Sequence, residues 1–164
     1  MEDTDILIVG GGVAGLTAAA VLAAAGHQTL CIDAAPRDAG ARDTRTTAFL
    51  RPAVELLAEA GVWDLLSGAT APLDTMRLID AGGEANEARE IADFHAAEIS
   101  EPPFGWNVSN RDMRQALIAR CEALPTATLA FGVSLQSLTP RRACQIARLS
   151  DGRSVRARLI VGAD

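Results

Sequence analysis

Ile6-Leu7-Ile8-Val9-Gly10-Gly11-Gly12-Val13-Ala14-Gly15-Leu16, with Gln28 to Asp33 following it, decides the fold of this chain. The first four residues are a short apolar run that stops at glycines, the pattern of a strand buried in a parallel sheet. Val13 to Ala25 is rich in Ala and carries Leu, which predicts a helix, and Gly26 stands where a helix stop belongs. Gln28 to Ile32 reads as a second strand that ends at Asp33. Strand, helix and strand within about thirty residues make a βαβ unit.

Inside that unit Gly10, Gly12 and Gly15 form GxGxxG. The triplet is weak by itself and gains weight from following a strand, opening a helix and preceding an acid at the end of the next strand. Gly10 permits the tight turn, Gly12 lets backbone approach a pyrophosphate, and Gly15 lets helix pack closely on strand. The N–H groups of Val13, Ala14 and their neighbours at the helix start, with the partial positive charge of the helix end, favour phosphates. Asp33 lies eighteen residues past Gly15, where a carboxylate can accept both hydroxyls of a ribose. An acid there favours the unphosphorylated ribose of FAD or NAD and repels NADP. The motif does not separate FAD from NAD.

Further along, Ala34 to Thr46 reads as a loop and Arg51 to Ala60 as a helix with Pro52 in its first turn, stopped by Gly61. Val62 to Leu66 makes a further turn. Thr75 to Asp80 and Glu84 to Phe94 read as strands around Ala81-Gly82-Gly83, and Pro102-Pro103 is a break. Ser109 or Asn110 caps a helix whose apolar face is Met113, Leu117, Ile118 and Cys121. Four strands follow: Thr128 to Phe131, Ser134 to Leu138, Ala143 to Leu149 and Ser154 to Val161, the last two joined at Asp151-Gly152. Leu159 to Asp164 repeats the character of the first strand, apolar residues followed by small ones and an acid. The expectation is therefore a piece of a longer protein.

The 164 residues suit one domain, and 49% of them are hydrophobic. No run of about 18 charge-free apolar residues indicates a transmembrane segment, and Glu2, Asp3 and Asp5 stand where a signal peptide would carry basic residues. The net charge is −6 and all fifteen basic residues are Arg, a balance that argues against nonspecific nucleic-acid binding. Three cysteines at unrelated spacings suggest neither a disulfide framework nor a zinc site and fit a reducing cytoplasm.

Asp43-Thr44-Arg45-Thr46-Thr47-Ala48-Phe49-Leu50, with Leu56-Leu57 and Gly61-Val62-Trp63, resembles the flavin monooxygenases that hydroxylate aromatic rings, most closely the branch acting on polyprenyl phenols in ubiquinone biosynthesis. The resemblance makes Arg45 a ligand of the FAD pyrophosphate, a role that suits a planar, permanently charged fork. It continues through Phe104 to Arg111, which places Arg111 in the first turn of a helix against the flavin nucleotide. A cation there opposes the helix dipole, a cost that a nearby diphosphate offsets. It also places Val133 at a backbone contact to the adenine, where sheet core is an equal reading, and Asp164 at the start of a motif shared by flavin and reduced nicotinamide.

The resemblance spans the whole chain and the N-terminal part of the family's length. It implies an α/β fold: a Rossmann-like FAD-binding domain with a parallel central sheet and an antiparallel β-meander, over residues 1–74 and 105–164, and a short excursion, residues 75–104, belonging to a substrate-side β-sheet. It implies FAD as cofactor, NAD(P)H as co-substrate, and O2 and a polyprenyl phenol as substrates. No residue here is assigned as acid, base or nucleophile, because the cofactor carries the chemistry. The expected location is cytoplasmic, with room for peripheral membrane contact. The 164 residues by themselves are expected to be inactive, to hold FAD weakly, and to self-associate through surfaces that further chain would cover.

Other residues point less far. His27 and His95 lack partners at metal-ligand spacing. Cys31 reads as buried and inert, Trp63 and Trp106 as packing anchors, and Glu87, Glu90, Asp93 and Glu98 as a solvated acidic face. Two alternatives stay open: another flavin oxidoreductase on this scaffold, such as a prenyl reductase or an amine oxidase, and an inactive nucleotide-binding fragment. The Arg45 and Arg111 segments favour the hydroxylase.

Overall fold

The computed structural model describes residues 1–82, 87–99 and 103–163. Eleven strands lie along them: β1 (Glu2–Val9), β2 (Thr29–Asp33), β3 (Thr46–Leu50), β4 (Thr70–Pro72), β5 (Thr75–Ala81), β6 (Ala88–His95), β7 (Gly105–Ser109), β8 (Ala127–Phe131), β9 (Leu135–Pro140), β10 (Gln145–Leu149) and β11 (Ser154–Gly162). The helices are α1 (Val13–Ala24), α2 (Arg51–Glu59) and α3 (Asn110–Glu122), with a 3-10 turn at Trp63–Leu66.

The main sheet has six strands in the order β8-β2-β1-β11-β10-β9. Its first four are parallel to one another, and β10 and β9 continue it antiparallel as a meander. A parallel neighbour requires a crossover; α1 supplies the one from β1 to β2. Ile6, Ile8 and Cys31 face Leu16, Ala19 and Ala20 of α1 and Met113, Leu117 and Cys121 of α3 in one core. Leu7, Leu30 and Ile32 meet Ala147, Leu149, Val155 and Ala157 in a second. Each fully buried Leu or Ile here stabilises the fold by about 1.5–3 kcal/mol. The apolar face expected of α3 is the buried one, and Ser109 is its N-cap: its Oγ accepts from the Asp112 N–H at 3.0 Å.

Three differences from the sequence reading have physical causes. β1 begins at Glu2, four residues before Ile6, because parallel β11 runs alongside it from there (Glu2 opposite Val155), flanked by the ion pairs of Glu2 with Arg153 just before β11, Asp3 with Arg156 and Asp5 with Arg158. Thr46 belongs to a strand rather than to a loop: β3, β7 and β4 form a three-stranded antiparallel sheet in the order β3-β7-β4. Their partners are far apart in sequence (Thr46 opposite Ser109), so no local pattern announces them. Gly105 is needed there, since a Cβ would lie 2.3 Å from the Phe49 carbonyl oxygen. Third, the acidic residues of β6 do not share a face. Asp93 sits opposite Arg77 and takes a bidentate ion pair from it at 2.7 Å, while Glu90, three residues earlier, points to the other face.

β5 and β6 form a separate two-stranded sheet, exposed along its whole length on both faces. Gly83, Glu84 and Pro102, read above as parts of a turn, a strand and a break, lie outside the described residues.

Candidate dinucleotide-binding site

The turn after β1 is built as the glycine pattern requires. Gly10 has φ 113°, a left-handed conformation open to glycine, and its N–H reaches the Ile32 carbonyl of β2 at 2.9 Å. Gly12 is the N-cap of α1 with extended backbone and no side-chain cap. The first-turn N–H groups of Val13, Ala14 and Gly15 therefore have no partner within the helix. A Cβ on Gly12 would meet nothing within 4 Å, so space lies open above it. A Cβ on Gly15 would lie 1.8 Å from the Gly10 carbonyl oxygen. The close packing assigned to Gly15 is thus against the turn itself.

Asp33 ends β2 and points at this turn. Its Oδ2 accepts the Gly11 N–H at 2.8 Å and its Oδ1 accepts the Ala35 N–H at 2.8 Å. Each oxygen keeps a further lone pair for a ligand hydroxyl. Gly11, a position the motif leaves unspecified, proves constrained: a Cβ there would lie 2.7 Å from Asp33 Oδ2. Val133 sits beside Asp33 and gives its N–H to the Asp33 carbonyl at 2.8 Å, while its side chain is buried in the second core. An adenine contact at Val133 has its carbonyl oxygen to use, because the N–H is spent.

A second group gathers at the start of α3. Arg45 forms a bidentate pair with Asp43, Nε to Oδ1 at 2.9 Å and Nη2 to Oδ2 at 2.8 Å. The guanidinium beside Asp43 holds its carboxyl well below the usual carboxylate range, with the Arg45 and Asn110 hydrogen bonds adding to the effect. Asn110, the first residue of α3, donates its N–H to the Arg45 carbonyl at 2.9 Å and its Nδ2 to Asp43 at 3.3 Å, and accepts from Thr47 Oγ1 at 2.6 Å. Asp43, Thr47 and Asn110 lie in the stretches that carry the resemblance but have no role assigned there; their contacts appear when β3 pairs with β7. Arg111 is half exposed and bonds Asp112 in the same turn at 3.1 Å, so an acid already offsets the cost of a cation at this helix end. Arg111 also lines a cavity of about 340 Å³ with Arg37, Arg114, Ile118 and Glu122.

α1 and α3 run in the same sense: Cys121 Sγ reaches the Leu16 carbonyl and Thr126 Oγ1 the Ala23 carbonyl. Their N-termini, with Gly10 to Gly15 and Asp33 at one and Arg45 at the other, therefore lie at the same end of the molecule. That is the end where the parallel strands finish, the place where open α/β sheets bind ligands. Among the described residues no hydrogen bond joins the two groups directly.

Burial pushes the Cys31 thiol up to about 12 and the Cys121 thiol up to about 11. Both are core, while the half-buried Trp63 and Trp106 meet edge to face at 5.9 Å. Asp164 lies outside the described residues. Among those residues no group of three or more His, Cys, Asp or Glu side chains comes together to hold a metal.

A family model described as "FAD binding domain" matches residues 3–164. The chain is 37% identical over 163 residues to the ubiquinone hydroxylase UbiL of Rhodospirillum rubrum, covering 98% of this chain and 37% of the relative. It is 34% identical over 167 residues to the 3-demethoxyubiquinol 3-hydroxylase of Escherichia coli, covering 99% and 41%. The chain thus spans about two fifths of the length of these curated relatives. Among solved structures, the p-nitrophenol 4-monooxygenase PnpA of Pseudomonas putida superposes with a TM-score of 0.80 at 18% identity, over 100% of this chain and 42% of that one. A PqsL variant of P. aeruginosa does so with 0.81 at 20% identity, over 99% and 43%. At these identities the structures support the fold alone.

Proposed function

The chain belongs to the FAD binding domain family, and from that premise we propose that it is the FAD-binding N-terminal portion of a flavin monooxygenase that uses NAD(P)H and O2 to hydroxylate a phenolic ring, the substrate being a polyprenylated ubiquinone precursor. The two curated relatives, one named a ubiquinone hydroxylase and the other a 3-demethoxyubiquinol 3-hydroxylase, support the substrate class. One observation carries the cofactor reading: an uncapped, glycine-bounded helix start with open space above it and a carboxylate fixed against its turn. These residues fit a dinucleotide.

In this reading the N–H groups at Val13, Ala14 and Gly15 receive the diphosphate, with Gly10 and Gly12 keeping the approach free of side chains. Asp33 accepts the ribose hydroxyls of the adenosine. Arg45 and Arg111 add positive charge, Val133 meets the adenine by backbone, and Asp164 lies on the flavin side. FAD, held by these residues, would supply the redox chemistry of a hydroxylation in which reduced nicotinamide provides two electrons, one oxygen atom of O2 enters the ring and the other leaves as water. The protein's part is to bind, orient and exclude water.

Residues 1–74 and 105–164 make the FAD-binding domain in this reading, and 75–104 part of a substrate-side sheet. Support comes from the β5–β6 hairpin, which pairs with neither other sheet and leaves Met76, Leu78, Ile79, Ile91 and Phe94 exposed. By itself the chain holds FAD weakly, turns over nothing and self-associates through this hairpin. We place the protein in the cytoplasm, with peripheral access to a membrane-borne substrate; among the described residues no helix is long and apolar enough to cross a membrane.

Gly12→Asp tests the site. Backbone at Gly12 suits any residue (φ −73°) and the space above is open, so the fold survives, while a carboxylate occupies the place of the anion. Calorimetric titration is expected to show at least about a tenfold loss of ADP and FAD affinity. Unchanged affinity in a folded variant would refute the assignment.

A further inference from the structure

We propose that Asp43 is a positioning residue for nucleotide binding: its carboxylate fixes the Arg45 guanidinium in the plane from which that group meets the diphosphate. The inference rests on the reading of Arg45 given above and assigns a role to a neighbouring residue that the resemblance leaves without one.

The geometry is one-sided. The Arg45 side chain is 81% exposed and its partner Asp43 only 21%. A long exposed arginine would ordinarily sample many rotamers, and ordering it on binding costs affinity. Here one carboxylate takes four donors: the Arg45 N–H at 3.0 Å, Nε at 2.9 Å, Nη2 at 2.8 Å and Asn110 Nδ2 at 3.3 Å. Those four fill its accepting capacity, so it has no other partner to serve. Asn110 is itself held by Thr47 and by the Arg45 carbonyl, which anchors the assembly to the first residue of α3. Two of the five guanidinium N–H groups are spent on Asp43; both on Nη1 and one on Nη2 remain, on the outward edge. A bidentate carboxylate thus leaves a fork free for a diphosphate.

The sign of one mutation separates this role from its opposite. Were Asp43 merely a negative charge near an anion site, removing that charge would strengthen anion binding. As a positioning residue, its loss weakens it. Asp43→Asn retains an oxygen for the Arg45 backbone N–H and removes the ion pair. At 0.15 M salt, where long-range charge effects are damped, Asp43→Asn is expected to weaken ADP binding by about 3- to 10-fold. Arg45→Ala is expected to weaken it at least as much, and the double variant to match Arg45→Ala within about twofold, the signature of one residue acting through another. Adenosine, which lacks the diphosphate, is expected to bind all four proteins alike.

Equal or tighter ADP binding by Asp43→Asn, with Arg45→Ala still impaired, overturns the role of Asp43 and spares that of Arg45. An Arg45→Ala variant that binds ADP like the unaltered chain, or a chain blind to ADP at millimolar concentration, overturns the diphosphate reading and this inference with it. Should Asp43→Asn not fold, the unaltered chain decides by NMR. The Arg45 Nε–H resonance is then expected to shift on adding ADP while keeping its contact to the Asp43 β-protons; loss of that contact on binding overturns the proposal.

Discussion

A methyl group on Gly15 would place a carbon 1.8 Å from the Gly10 carbonyl oxygen, and neither backbone can yield without opening the turn. Gly15→Ala is therefore expected to destabilise the chain by about 2–4 kcal/mol, in the range of severe overpacking, read as a lowered midpoint in urea. Gly12, three residues away, faces open space and tolerates a side chain structurally, and a side chain there blocks the proposed diphosphate site. The two glycines look alike in the motif and fail differently when changed. Cysteine chemistry separates residues in the same way. Cys31 and Cys121 are buried with thiols raised to about 12 and about 11, while Cys144 is half-buried on the surface. At pH 8 a disulfide reagent is expected to label one thiol per folded chain, at Cys144, and three after denaturation, because thiolate is the reacting form. The stability consequence has a definite sign. A thiol whose pKa is higher folded than unfolded keeps its proton while the unfolded chain ionises, so stability is full below the ordinary value of 9.0 and falls as pH climbs from there toward 12.

Among the elements, α3 ties the site together: its buried face closes the first core and its first turn anchors Arg45 through Asn110. Ser109 caps it at 3.0 Å, so Ser109→Ala is expected to cost about 1 kcal/mol in chemical denaturation. Because the Arg45 carbonyl receives the Asn110 N–H, fraying of that turn also loosens the Arg45 loop, and ADP affinity should fall along with stability. A loss of stability without loss of affinity would mean that the cap and the Arg45 loop are independent. α1 differs in having no side-chain cap at all. A Ser or Asp at Gly12 would supply one, at the place proposed above for the ligand anion. The uncapped start therefore reads as a stability cost kept for binding.

At the scale of the whole molecule, the main sheet and its helices bury two cores, while the β5–β6 hairpin stands outside both. An isolated two-stranded hairpin is marginal in water, and this one exposes Leu78 by 53% and Ile91 by 57% on opposite faces. Size-exclusion chromatography of the chain is expected to show concentration-dependent association. The pair Leu78→Asp and Ile91→Asp, combined in one protein, should shift it toward monomer without changing ADP affinity. A monomer at all concentrations in the unaltered chain would remove the hairpin as an association surface.

The βαβ unit, the capping of α3, the Asp151-Gly152 turn and the meander were legible in the residues, because each is fixed by contacts between near neighbours or by a glycine with a specific backbone task. The glycine turn and Asp33 were legible for the same reason: the turn, the helix start and the acid lie within one crossover. The sheet of β3, β4 and β7 was not, since its strands are short and paired across tens of residues. With that sheet hidden, the partnership of Asp43, Thr47 and Asn110 around Arg45 was hidden too. Local sequence determined the glycine turn and the acid set against it, the proposed seat of a diphosphate. Only the long-range pairing of β3 with β7 decided which side chains hold the arginine beside α3, because a hydrogen bond between residues more than sixty positions apart leaves no periodicity for a sequence to display.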